Sequence, residues 1–82
     1  MKLVRALHAI AFDILNDWHK PHYAAVPYIR AMTGLTAITD LYGQNTARDI
    51  VLRFLVNAQA WRGPEARRIK AELKAILDYK GD

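Results

Sequence analysis

TARDIVLRFLVNAQAWRGP, from Thr46 to Pro64, is the stretch on which the fold turns. Thr46-Ala47-Arg48-Asp49 has the layout of a capping box, with Asp49 in place of the usual Glu or Gln. At 100° per residue, Ala47, Ile50, Val51, Phe54, Leu55, Ala58 and Trp61 then share one arc, so a helix is expected from about Ala47 to Arg62. Leu52 and Val56 fall on the other side. A helix apolar around most of its circumference is either central or covered by another chain. Gly63-Pro64 punctuates the stretch: glycine suits a left-handed position after one helix, and proline suits the first turn of the next.

Working outward, Pro64 to about Tyr79 forms a second amphipathic helix with Ala66, Ile69, Leu73, Ile76 and Leu77 as its buried stripe. Arg68–Glu72 and Lys74–Asp78 are spaced to pair weakly along it. Upstream, residues 2–18 show a third arc of Leu3, Val4, Leu7, Ile10, Ala11, Ile14, Leu15 and Trp18, with Phe12 pointing toward the polar side. Pro21 stops that helix. A shorter helix is expected to start near Val26 or Pro27, to carry Tyr28, Ile29 and Met32, and to end at Gly34. A further short helix from Thr36 to Tyr42 is expected, capped by Thr36 and closed by Gly43. No strand-like alternation persists and no internal repeat occurs. The expected fold class is all-α, a compact bundle of four or five helices in a single domain, residues 1–82.

Composition narrows the chemistry. The chain has no cysteine and no serine, which excludes disulfides, thiolate zinc sites and both common nucleophiles. Only Glu65 and Glu72 represent glutamate. Neither a phosphate loop nor a metal box occurs, so no enzyme, no cofactor and no metal is expected. His19 and His22 have metal-like spacing with Asp17 nearby, but Pro21 keeps them off a regular helix; a polar loop is the simpler reading, and their role stays open. Asp13 and Asp17 read as solvated, and Asp49 as a cap. The longest uncharged runs are nine residues, against the roughly 20 that span a membrane, so a soluble protein of the cytoplasm is expected.

The net charge is +4, and residues 47–82 hold eight basic and five acidic groups, or +3 of it. A basic half points to nucleotide phosphates, nucleic acid or an acidic protein surface as partner. The candidate ligand-binding residues are Arg62, Arg67, Lys70 and Lys74, with Trp61 or Tyr28 to stack on a base. Arg67, Lys70 and Lys74 share one flank of the last helix. Its N-terminus adds the backbone N–H groups of Glu65, Ala66 and Arg67. The bland alternative is a solvated basic face. Phe12, Leu52 and Val56 lie off their core arcs, from which a homo-oligomer, most simply a dimer, is expected.

One resemblance adds to this. Tyr42-Gly43, Asp49 through Leu55, Asn57-Ala58, Trp61-Arg62-Gly63 and Ala66 through Leu73, with Tyr23-Ala24-Ala25, Pro27-Tyr28 and Ala31-Met32 before them, resemble a pattern in small helical proteins of bacteriophages and prophages. The similarity covers about residues 16–77 and carries no catalytic motif. It implies a mobile-element origin and action by capture, either of a nucleotide or cyclic-nucleotide immune signal or of a host protein. In that second case the chain is an inhibitor or adaptor that docks its basic face on an acidic surface. DNA binding is the weaker alternative, because Gly63-Pro64 matches a helix–turn–helix only loosely.

Overall fold

In the computed structural model, which describes residues 5–78, the chain forms four helices and one small hairpin. The elements are α1 (Leu7–Asp17), α2 (Val26–Met32), β1 (Leu41–Tyr42), β2 (Asn45–Thr46), α3 (Ala47–Val56) and α4 (Pro64–Asp78). The molecule is therefore mostly helical, as the apolar arcs require. Each helix packs chiefly on two neighbours, in the cycle α1–α2–α3–α4–α1. Ile10 and Ile14 of α1, Ile29 and Met32 of α2, Val51 and Phe54 of α3, and Ile69 and Leu73 of α4 meet in one core, each essentially fully buried.

Several boundaries agree with the sequence reading. The Thr46 hydroxyl accepts from the Asp49 N–H at 3.2 Å and starts α3. Pro27 lies in the first turn of α2. Gly63, at φ +116°, occupies a positive-φ position before Pro64 opens α4. Tyr79, expected at the end of α4, lies outside the described residues, as do Leu3 and Val4.

Other boundaries moved. The first helix begins at Leu7 rather than residue 2. Ala6 is extended and offers no side-chain cap. The Leu7 and His8 N–H groups donate instead to the carbonyls of Thr36 and Leu35, at 3.0 and 2.8 Å. The expected helix over Thr36–Tyr42 does not form. The Asp40 carboxylate accepts from both the Thr36 and Ala37 N–H groups at 2.9 Å, which closes a turn. The chain then pairs Leu41 with Thr46 and Tyr42 with Asn45 across Gly43-Gln44. Gly43, at φ +63°, supplies the positive φ that a two-residue hairpin turn needs at its first position. The fold is thus four helices with a two-stranded hairpin, and the purely helical bundle is corrected to that extent.

The helix α3 ends at Val56, short of the expected Arg62. Asn57 donates both its backbone N–H and its side-chain amide to the Arg53 carbonyl, at 3.2 and 2.8 Å. Ala58 and Trp61 stay buried, but they sit in turns: Ala58 N–H donates to Leu55, and Trp61 N–H to Ala58. Gly34 does not take a left-handed conformation; α2 ends in turns closed by Thr33, whose hydroxyl donates to the Arg30 carbonyl. Leu15, assigned to the buried arc of α1, is 42% exposed, joining Phe12 on the outside.

Candidate anion-binding surface

The helix α4 separates its charges onto two flanks, and the separation begins with Arg5. From the segment before α1, Arg5 forks onto Glu72: Nε donates to Oε2 at 2.8 Å and Nη2 to Oε1 at 2.7 Å. Its Nη1 donates to Asp13 at 2.6 Å. On α4 itself Arg68 donates twice to Glu65 and reaches Glu72 at 4.0 Å. One flank is therefore a closed network of two arginines and three carboxylates. Glu72 is held below the ordinary carboxylate range, chiefly by the Arg5 hydrogen bonds against the opposing cost of partial burial. Glu65 is lowered by its Arg68 hydrogen bonds and charge. Asp13, expected to be solvated, is a member of this network.

The other flank has no such balance. Among the described residues, Arg62, Arg67, Lys70 and Lys74 form no salt bridge. The expected Lys74–Asp78 pair is not formed either. Lys70 is half-buried, and its Nζ donates to the Trp61 carbonyl at 2.6 Å while standing 5.8 Å from the Trp61 ring centroid. Its pKa is lowered first by burial, then by the charges of Lys74 and Arg62. Lys70 thus sits within the repulsive field of two further cations. Arg67 is exposed on the same flank, about two turns nearer the start of α4 than Lys74.

One expected donor and one expected platform are already engaged. The Arg67 N–H donates to the Gly63 carbonyl at 2.9 Å, which leaves the Glu65 and Ala66 N–H groups without a backbone partner among the described residues. Trp61 is 3% exposed and stacks on Trp18, with ring centroids 5.7 Å apart and planes 9° from parallel. Its indole N–H donates to Asp17 at 2.8 Å. A ring so enclosed has no open face for a base, and the stacking role expected of Trp61 is corrected to a core role. Asp17, read as solvated, anchors it. Tyr28 is half-buried against the core from α2, on a helix that is not one of α4's principal neighbours. The structure brings Arg62, Lys70 and Lys74 together, keeps Arg67 beside them, and leaves Tyr28 apart.

The histidines do not converge. His19 Nε2 lies 2.8 Å from the Asn16 carbonyl, and His22 Nδ1 accepts from the Ala24 N–H at 3.1 Å while stacking on Tyr23. Among the described residues no three His, Asp or Glu side chains come together to hold a metal ion. No described helix is long and apolar enough to cross a membrane. What remains on the surface is a cationic strip able to receive phosphate or carboxylate oxygens from outside. Comparison with known proteins gave no matching family, no matching curated protein and no matching solved structure.

Proposed function

We propose that this chain is a non-enzymatic binding protein that captures an anionic ligand on the Arg62–Arg67–Lys70–Lys74 flank of α4, with a nucleotide as the ligand class. The observation that carries the reading is the segregation of charge on α4. All three carboxylates near that helix's start and middle are consumed by Arg5 and Arg68 on one flank, while on the other flank Lys70 feels the like charges of Lys74 and Arg62 with no carboxylate paired to it. An anion seated there relieves that repulsion, and each charge-assisted contact is worth about 1.5–3 kcal/mol. With Trp61 enclosed, recognition rests on the phosphates and leaves the base largely unread. In the setting that the phage resemblance implies, such capture sequesters an immune signal in the host cytoplasm.

A second reading is favoured by the same enclosure of Trp61. Arg67 and Lys74 are exposed on an outward face of α4, and Arg62 is exposed on the link just before it, which also suits an acidic protein surface. Calorimetric titration against linear and cyclic nucleotides and inorganic pyrophosphate separates the two. Binding that strengthens with phosphate count and is lost in Arg67→Glu and Lys74→Glu supports the first reading. Absence of binding to every member of the panel overturns it. Arg67→Glu should change stability by no more than about half a kcal/mol, as at an ordinary surface site. Unfolding of that variant would show that the arginine is structural.

A further inference from the structure

The outward face of α3 is apolar at its centre and charged around it. Ile50, Val51 and Phe54 face α2 and α4 and are buried. On the opposite side Leu52 is 45% exposed and Val56 68% exposed, four residues apart on one face. Asp49 and Arg53 border the same face. They stand in the acid-before-base order that favours pairing within a helix, yet they form no salt bridge within 4.0 Å among the described residues. Each therefore keeps its charge available to an outside group. At the N-terminal end of the helix, the hairpin leaves Leu41 70% and Tyr42 49% exposed.

We infer that this face docks a second copy of the chain, α3 against α3 in antiparallel orientation about a twofold axis near Leu52 and Arg53. The face is its own complement in that arrangement, which is the requirement of an isologous interface. Leu52 meets the partner's apolar centre. Asp49 of each protomer faces the cationic side of the other, where that copy's Arg53 projects. The hairpin at one end of α3 comes to lie over the far end of the partner helix and covers the more exposed valine, because a helix of 10 residues is only about 15 Å long. An unrelated acidic or basic partner would satisfy one of the two charges and leave the other facing its own sign. The cationic flank of α4 is not consumed by this interface, so the inference does not rest on the proposed ligand.

Sedimentation equilibrium from 1 to 100 µM tests it, with circular dichroism on each variant. Wild type should approach twice the 9.3 kDa chain mass. Leu52→Glu/Val56→Glu should weaken association at least about 100-fold, the value of two buried aliphatic side chains. Arg53→Glu should weaken it roughly tenfold, and Asp49→Lys/Arg53→Glu should restore it, since the swap rebuilds the charge pairs across the axis. A 9.3 kDa wild-type species throughout the range overturns the inference. So does a dimer indifferent to the double apolar substitution, which would place the interface elsewhere. Should that variant unfold, the charge swap decides alone: failure to restore what Arg53→Glu removes overturns the twofold arrangement.

Discussion

Arg5 shows how much one side chain can organise when its donors are forked. Its guanidinium holds Glu72 through two parallel bonds and Asp13 through a third, tying the segment before α1 to α4. Arg5 is raised above its ordinary pKa by the hydrogen bonds to Glu72 and then to Asp13. The linkage follows from Glu72. Its folded pKa lies below the ordinary 4.5, so its contribution is complete above that value and is lost as pH falls through the lowered folded one. Both side chains of the pair are partly exposed, and solvent screening limits the gain to about 1 kcal/mol. Glu72→Gln should therefore cost about 1 kcal/mol at pH 7 and flatten the acid limb of the stability profile below the ordinary carboxylate value of 4.5. Urea unfolding across that range measures both; an unchanged acid limb would assign the pH dependence to other carboxylates, Glu65 and Asp40 among them.

The connections between elements depend on two glycines in different ways. Gly43 sits near the left-handed helical well at φ +63°, a conformation that other residues enter at a cost of about 1–2 kcal/mol. Gly63, at φ +116°, lies beyond that well. A Cβ at either position meets nothing within 4 Å, so neither cost is steric crowding from neighbours; both are carried by the backbone. Gly63→Ala should destabilise by about 1–3 kcal/mol and by more than Gly43→Ala. Chemical denaturation of the two variants side by side gives the order, and the reverse order would mean that the link into α4 relaxes on substitution. The interface inferred on α3 belongs to this level too, because it uses the face that α3 does not give to α2 and α4.

Across the molecule, the radius of gyration is 11.8 Å, close to the roughly 12 Å expected of a compact chain of this size. The buried side chains form a single cluster drawn from all four helices. A single core predicts one cooperative transition. Total stability should be about 4–12 kcal/mol by the per-residue rule. Leu73, fully buried at the centre of the α4 stripe, belongs to that core. Leu73→Ala should cost about 2–5 kcal/mol, a large fraction of the total, and lower the denaturation midpoint with little change in slope. A cost under about half a kcal/mol would mean that α4 unfolds apart from the rest.

Features that depend on residues within a turn of each other were legible in the sequence: the Thr46 cap, the Pro27 start, the Gly63-Pro64 break, and the stripe of Ala66, Ile69 and Leu73. Their physics is the geometry of the helix itself, so the spacing of side chains carries it. The hairpin had a signal too, in Gly43 at the first position of a two-residue turn, but its strands are too short to show alternation. Burial periodicity misled at Ala58 and Trp61, which keep the helical arc although the chain has left the helix, because turns can deliver side chains to the same core. The basic residues of the α4 flank were legible as a set; their lack of compensation was not. That follows from Arg5 reaching across to Glu72 while its remaining donor holds Asp13, which settles the acidic network on one side. Likewise the start of α1 depends on carbonyls at Leu35 and Thr36, and the fate of Trp61 on Asp17 and Trp18. These contacts join residues far apart in the chain, and no local pattern encodes them; they exist only once the four helices have closed their cycle and brought distant donors and acceptors within hydrogen-bonding reach.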